Sequence, residues 1–462
     1  MSLNRQLMNM PHLRRPGLVL LAALLSGALN AAAPNVNNTL VWNKAKDRVE
    51  ADVRTLGLAT LLERIATETG WQVFVEPGTT HTASSKFKNL PSGEALRLLL
   101  GDLNFTLVPQ TNSSPRLYVF RTELKKATRQ VRAFREAPGS KRIPNELIVQ
   151  LKPGADINAL ARKLGAKVIG CIEKLNVCRL QFADAEAADA ARELLALDDD
   201  VTAVDYNYSL DRPMRPSAST SAAAAPLQLK LNPPADTGEI VIGLVDTEIQ
   251  ALCGELNKFV RKPISVAGEV QSTANVPTHA TGMANMMLRS LQAATKGSTS
   301  VQILPVDVYG PNMTTSTYDV ANGIVAAVNN GATVINLSLG GQGDSAFLQS
   351  LVQSVLDRGI PIYAAAGNEP VTTPFYPAAY PGVVAVTAAE RGQIAPYANR
   401  GSFVDVAAPD SDVFCFNGQS YYVQGTSASA AYTSGMAAGI ADSTKKSWSD
   451  VQKVILQTLT VP

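Results

Sequence analysis

Ser427 stands in the stretch Gly425, Thr426, Ser427, Ala428, Ser429, Ala430, Ala431, at the mouth of a small-residue run that continues through Ser434, Gly435, Met436, Ala437, Ala438 and Gly439. Small residues at nearly every position let a helix lie close against a buried sheet, and the N-terminus of such a helix favours developing negative charge. A hydroxyl there is well placed as a nucleophile, although Gly-Thr-Ser is equally the composition of a loop and N-cap. Three further residues decide between the two. Asp246 closes the apolar run Val241 to Val245, His279 opens Thr278 to Ala284, and Asn368 follows Tyr363 to Gly367. The chain has 3 histidines. His12 lies in the N-terminal leader and His81 in a loop of another module, where it reads as a surface residue; a general base in the C-terminal part must therefore be His279. Serine, imidazole and carboxylate together are the groups of nucleophilic acyl transfer, and a side-chain amide can meet the oxyanion of a tetrahedral intermediate.

The elements that must carry these residues read as apolar strands alternating with helices. Ile240 to Val245, Gln302 to Val306, Val334 to Leu337, Ile360 to Ala365 and Val383 to Val386 are the strand candidates, and Tyr421 to Val423 a shorter one. Such alternation predicts an α/β domain with a parallel sheet, whose sites gather at the carboxyl ends of the strands. The order Asp246, His279, Ser427 excludes two common arrangements. An α/β-hydrolase has its histidine after the serine, and none follows Ser427; Ser429 also occupies the last position of its Gly-x-Ser-x-Gly elbow. A chymotrypsin-like chain runs His, Asp, Ser on β-barrels.

With these residues in hand, residues 239–462 resemble the subtilisin-like serine proteases. Ile335 to Gly340, Tyr376 to Pro381 and Val404 to Pro409 are further segments of the likeness. The resemblance implies that Asp246, His279 and Ser427 are catalytic, that Asn368 completes an oxyanion hole, and that Ser338, Leu339 and Gly340 pair with an extended polypeptide substrate. It implies no cofactor and no metal in the chemistry; calcium belongs to the family's habits, but no ligand set is legible. The chain departs from the pattern at Glu248, Ala280, Ala431, Tyr432 and Asp410. If Glu248 continued the strand it would share a face with Asp246, and its charge would tend to raise the pKa of His279.

Upstream, residues 1–33 set Arg5, Arg14 and Arg15 ahead of the apolar run Leu18 to Leu25 and end in three alanines, the layout of a secretory signal peptide. An exported protein, periplasmic or extracellular, is expected. Residues 38–122 read as a small α+β module, with Ser92 as the N-cap of a helix over Glu94 to Leu100. Through Leu61 to Trp71 and Gly93 to Leu99 this module resembles the short N-terminal domain of secretins and TonB-dependent receptors, which implies an envelope protein partner. Residues 123–142, with Lys125, Lys126, Arg129, Arg132, Arg135, Lys141 and Arg142, read as a solvated basic tether.

Residues 143–210 form a second α+β module of order βαββαβ. Glu146 to Gly154 and Val201 to Asn207 resemble the propeptide of subtilisin-like proteases, so the chain's own propeptide is an expected partner of the peptidase domain. Residues 211–238 are a Pro, Ser and Ala-rich connector where maturation would occur. Four cysteines in an exported chain are free to pair, and one pair within each module, Cys171–Cys178 and Cys253–Cys415, is the simplest arrangement; four thiols and other connectivities stay open. A net charge of +2 gives no case for a nucleic-acid partner. The expected activity is a propeptide-inhibited serine endopeptidase; the alternative is a permanently capped subtilase-fold protein that binds peptides.

Overall fold

The computed structural model describes residues 38–111, 113–134, 136–220, 223–233, 239–268 and 275–462; the expected signal peptide lies outside them. In chain order the first module comprises β1 (Thr39–Asn43), β2 (Arg48–Gly57), α1 (Leu58–Thr69), β3 (Gln72–Val75), β4 (Thr82–Leu90), α2 (Ser92–Leu100), β5 (Asn104–Val108), β6 (Arg116–Phe120) and β7 (Arg129–Val131). Two sheets, β1-β2-β4 and β5-β6-β3-β7, cover the apolar faces of the two helices, where Leu61, Leu62, Ile65, Leu96 and Leu99 are buried together. Gly70 ends α1 in the left-handed conformation that the helical spacing requires.

Three expectations fail here. Ser92 is the first helical residue and not the N-cap, because its hydroxyl is held between Trp42 Nε1, at 2.9 Å, and the Asp47 carboxylate. Residues 123–142 are no free tether: β7 adds an edge to the second sheet, and Arg129 donates to the carbonyls of Ala196 and Asp198. Phe134 packs against Tyr206, with ring centroids 5.5 Å apart. His81, read as a surface residue, is half-buried, with Nε2 2.8 Å from the Leu99 carbonyl.

The second module runs β8 (Arg142–Leu151), α3 (Ile157–Leu164), β9 (Lys167–Ile172), β10 (Val177–Gln181), α4 (Ala185–Leu195) and β11 (Val201–Asp211), in the expected order. Cys171 and Cys178 face each other across β9 and β10 and are joined. The first module is locked to α4. Gly57 offers no side-chain cap to α1, and the Glu193 carboxylate supplies one from the other module, accepting from the N–H groups of Ala59 and Thr60 at 3.0 and 3.2 Å. Beside it Arg192 and Glu63 form a two-pronged ion pair at 2.5 and 3.1 Å, almost wholly out of water.

After two short strands, β12 (Ser217–Ala218) and β13 (Lys230–Leu231), the C-terminal domain begins with β14 (Val241–Asp246) and β15 (Ile264–Ser265). It continues with α5 (His279–Thr295), β16 (Ser298–Thr299), β17 (Gln302–Asp307), β18 (Thr314–Ser316), α6 (Thr317–Asn329), β19 (Val334–Leu337), α7 (Ala346–Asp357), β20 (Ile362–Ala365) and β21 (Val384–Glu390). It ends with β22 (Gln393–Ile394), β23 (Val406–Pro409), β24 (Ser411–Phe416), β25 (Gln419–Gln424), α8 (Thr426–Thr444) and α9 (Trp448–Thr458). The central sheet has the order β15-β17-β14-β19-β20-β21-β22 and is parallel except for β22, with β23 also paired to β21. Its central strands β14, β19 and β20 are buried on both faces: α5, α8 and α9 lie over one, α6 and α7 over the other. Cys253–Cys415 ties the loop after β14 to β24.

The second module's sheet extends into this domain, because β11 pairs antiparallel with β18 to give the order β18-β11-β8-β10-β9. Asp205, buried, accepts from Phe347 N–H and Ser345 Oγ at the start of α7; Asn207 accepts from Tyr318 N–H and Thr317 Oγ1 at the start of α6. The second module thus satisfies the orphan donors of two helices in the third.

Removing Arg192 leaves the Glu63 carboxylate buried and unpaired. Arg192→Ala is expected to lower the unfolding free energy of the full chain by about 3–5 kcal/mol, and a second change, Glu63→Leu, to recover much of it. Urea titrations of the four chains of this cycle, in a Ser427→Ala background, measure the coupling; additive losses would refute it.

Candidate active site

Asp246 is the last residue of β14, fully buried, and both of its carboxylate oxygens lie 2.9 Å from Nδ1 of His279. Thr247 N–H also bonds Oδ1, at 2.6 Å. His279 is the first residue of α5, where Thr278 caps the helix by accepting from Thr281 N–H. Thr247 Oγ1 accepts from Ala280 N–H at 3.1 Å, so strand end and helix start are stitched together one residue beyond each partner of the pair. Held from Nδ1, the ring can keep its proton on that nitrogen and offer Nε2 to the cleft.

Ser427 is the second residue of α8 and half-buried. Its hydroxyl donates to the Ser338 carbonyl at 3.0 Å, and Ser338 Oγ donates back to the Ser427 carbonyl at 2.9 Å. The pair continues inward: Asn336 Nδ2 donates to Ser338 Oγ at 2.8 Å, and Ser434 Oγ donates to Asn336 Oδ1 at 2.9 Å. Asn336, Ser338 and Ser434 are fully buried, so this chain of bonds fixes α8 on β19. Among the described residues no hydrogen bond joins Ser427 Oγ to His279. Asn368 Oδ1 accepts from Thr426 N–H and Thr426 Oγ1 at 3.0 and 3.1 Å, which leaves Nδ2 as the amide's free donor beside Ser427. The geometry suits a donor aimed at developing negative charge.

His279, Ser338, Leu339, Gly340, Asn368 and Ser427 line one cleft of about 870 Å³. All seven sequence-derived site residues are thereby brought together, since Asp246 stands behind His279. The chain's own residues 209–217 run through this cleft. On entry they pair with β18, in the register Ser209↔Ser316, Leu210↔Thr315 and Asp211↔Thr314, and Arg212 N–H bonds the Met313 carbonyl at 2.9 Å. On leaving, β12 pairs with β25, Ser217↔Tyr422 and Ala218↔Tyr421. The start of the expected connector is therefore bound in place. Among the described residues, no backbone hydrogen bond joins it to Ser338, Leu339 or Gly340, and the Ser338 carbonyl accepts from Ser427.

Glu248 also departs from expectation. The strand stops at Asp246, and the Glu248 carboxylate turns to Arg212, which it grips in a close ion pair. It cannot then stand beside Asp246 as a bare second charge on His279. Beneath Arg212, Tyr309 is buried, its phenol pushed well up by burial and by the negative charge of Asp246. Neither Asn336, Ser434, Thr426, Arg212 nor β18 was singled out from the sequence for the site. Glu248 was noted alone, and Arg212 lies 36 positions away with nothing local to join the two. Among the described residues no three His, Cys, Asp or Glu side chains gather as metal ligands.

A carboxylate, imidazole and serine at the carboxyl edge of a parallel sheet, in this chain order, with a side-chain amide beside the serine, define the subtilisin-like α/β class. The comparisons agree. Residues 237–461 match the model of the subtilase family and form a subtilase-family domain, and residues 128–207 match the fervidolysin N-terminal prodomain. A thermophilic serine proteinase of Bacillus sp. (strain AK1) is 33% identical over 187 residues, 40% of this chain and 46% of that protein. Thermitase of Thermoactinomyces vulgaris is 34% identical over 184 residues, 39% of this chain and 66% of that protein. The chain thus spans about half to two thirds of these relatives. Among solved structures, fervidolysin from Fervidobacterium pennivorans superposes with a TM-score of 0.51 at 20% identity, over 66% of this chain and 55% of that one. The epidermin leader peptide processing serine protease from Staphylococcus aureus gives 0.53 at 17%, over 67% and 92%. These two likenesses are of fold. The prodomain match begins at residue 128, ahead of the expected 143, and takes in β7.

The His279–Ser427 separation rests on how closely α5 and α8 approach. A Cβ on Gly435 would come within 2.2 Å of Ser290 Oγ and 2.4 Å of the Met287 carbonyl. Gly435→Ala is expected to cost about 1–3 kcal/mol in unfolding free energy through overpacking and to depress any hydrolytic rate further. Gly93→Ala, where a Cβ meets nothing within 4 Å, is the control and should do neither. Equal behaviour of the two variants in thermal unfolding would refute the close-packing account.

Proposed function

We propose that the chain is an exported serine endopeptidase, made as a zymogen whose prodomain fills its own substrate groove. The observation that carries this reading is the convergence of Asp246, His279, Asn368 and Ser427 on a cleft threaded by the chain's own residues 209–217. In this reading Ser427 Oγ attacks the scissile carbonyl. His279 takes the proton at Nε2 and returns it to the leaving amine, while Asp246 orients the ring and stabilises its charged form. Asn368 Nδ2 and the Ser427 backbone N–H hold the oxyanion, and Ser338, Leu339 and Gly340 edge the substrate strand once the occupant has left. Residues 143–210 act as the prodomain proper. The maturation bond lies between the two paired segments, within Arg212 to Ser217. Residues 1–33 direct export, and residues 38–122 dock an envelope protein, which favours the periplasm over the medium.

One observation favours a second reading, a capped binding protein. Met214 is 89% exposed, so the side chain at the middle of the crossing segment stands in solvent and is not seated in the cleft.

Intact mass of the exported chain separates the two. Wild type is expected to lose everything up to a point within Arg212 to Ser217, while Ser427→Ala stays joined across that segment. If both remain whole, the endopeptidase reading gives way to the capped one.

A further inference from the structure

The seat of Arg212 is built for a guanidinium. Its side chain is 12% exposed and lies between four groups. Nη2 meets the Glu248 carboxylate; Nη1 donates to the carbonyls of Gly310 and Asn312, each at 2.9 Å; and Cζ lies 5.5 Å from the centroid of the Tyr309 ring. Glu248 is itself 9% exposed, so a carboxylate has been taken out of water to face this position, a costly arrangement without a cation opposite. Two fixed carbonyls and a carboxylate match the planar fork of arginine better than the point charge of lysine. Tyr309 is anchored from its far end, its hydroxyl donating to the Asp211 carbonyl at 3.0 Å. A second cation, Arg215, reaches Glu248 only at 4.0 Å and is 41% exposed.

We propose that this seat is a specificity subsite of the cleft, and that the protein selects polypeptides carrying arginine at the position Arg212 occupies. The inference rests on the endopeptidase reading. Three features make the seat a subsite. Arg212 directly follows β11, the strand that enters the cleft paired to β18, and its own N–H bonds the Met313 carbonyl, so the seat follows directly on the backbone register. Glu248 follows Asp246 by two residues, which fixes the seat to the catalytic carboxylate's own loop. Leu210, two residues earlier and 3% exposed, is buried in the domain core on the same side. The intact chain therefore occupies its groove with an arginine that the groove is made to read, and the same contact holds the prodomain's end in place until cleavage.

The test uses processed enzyme and internally quenched peptides spanning residues 207–217, with arginine, lysine, glutamine or leucine at the position of Arg212. Wild type is expected to favour arginine over leucine in kcat/KM by about 10-fold or more, and Glu248→Gln to cut that ratio by about 10- to 100-fold, with Glu248→Asp recovering part of it. No preference in wild type, a preference that survives Glu248→Gln, or one that follows the position of Arg215 would overturn the subsite while leaving the endopeptidase reading intact. If neither peptides nor the chain itself are cut, that reading fails. The seat is then judged by hydrogen–deuterium exchange on the full chain with Ser427→Ala. Adding Glu248→Gln should speed exchange in residues 209–219 about 10-fold or more if Glu248 holds the arginine, and unchanged exchange would overturn the assignment.

Discussion

The close packing of α5 against α8 is the constraint on which the site depends. His279 begins one helix and Ser427 is the second residue of the other, so their separation is set by the distance between two parallel rods and not by a loop. About two turns into each helix, Gly435 lies against Met287 and Ser290, and a turn further on Gly439 lies against Leu291 and Ala294. Glycine there removes the Cβ that would hold the backbones apart. Small residues along α8 therefore serve geometry before chemistry: they bring two helix N-termini side by side at the carboxyl edge of the sheet. The buried chain Ser434, Asn336, Ser338, Ser427 then fixes α8 in depth, against β19. A helix held by both a neighbour and a strand leaves the nucleophile little freedom beyond its own rotamer.

The other face of the sheet is finished by the prodomain. The N-termini of α6 and α7 carry N-caps of their own, Ser316 and Ser345, and each also receives a side-chain acceptor from β11. Burying the Asp205 carboxylate raises its pKa, burial outweighing three donated hydrogen bonds, so the cap is not an unmixed gain. Its worth lies in position. It fixes β11 along α6 and α7, hence β11 against β18, hence the register with which residues 209–212 enter the cleft. Because the prodomain is joined through that cleft, its docking is intramolecular, and a short tether gives an effective concentration on the order of mM. Modest contacts then suffice to keep the groove filled.

How much of this was legible beforehand follows from what each residue's neighbours in sequence dictate. Asp246, His279 and Ser427 were readable because each stands at the end of a run of one character, an apolar strand or a helix of small and apolar residues, and a parallel sheet collects such ends on one edge. The βαββαβ order of residues 143–210 was readable for the same reason. Ser92 misled because local preference favours serine as a cap, whereas Trp42 and Asp47 claimed its hydroxyl from 50 and 45 positions away. The basic stretch 123–142 looked solvated because charge density speaks for water; Arg129 instead bonds carbonyls at the end of α4, partners that exist only once that helix has folded. Glu248 was visible as an oddity, but its direction depended on where β14 stopped, and a strand boundary is the feature that periodicity resolves least well.

Two features separate the intact chain from a primed site, and their magnitudes differ. Ser427 donates its single proton to the Ser338 carbonyl and not toward His279. Redirecting a hydroxyl takes rotation about one or two bonds between staggered positions, over in picoseconds to nanoseconds for an accessible side chain, and exchanges one hydrogen bond of about 1 kcal/mol for another. The segment across the cleft is held far more firmly, by strand pairing with β18 and β25 at its two ends and by the Arg212 guanidinium with three hydrogen-bond partners. Those contacts give way together or not at all, because the five residues between the paired ends have too little slack to release one end alone. The orientation of the serine hydroxyl is thus the lesser obstacle, and the occupant is the element whose removal changes the state of the site.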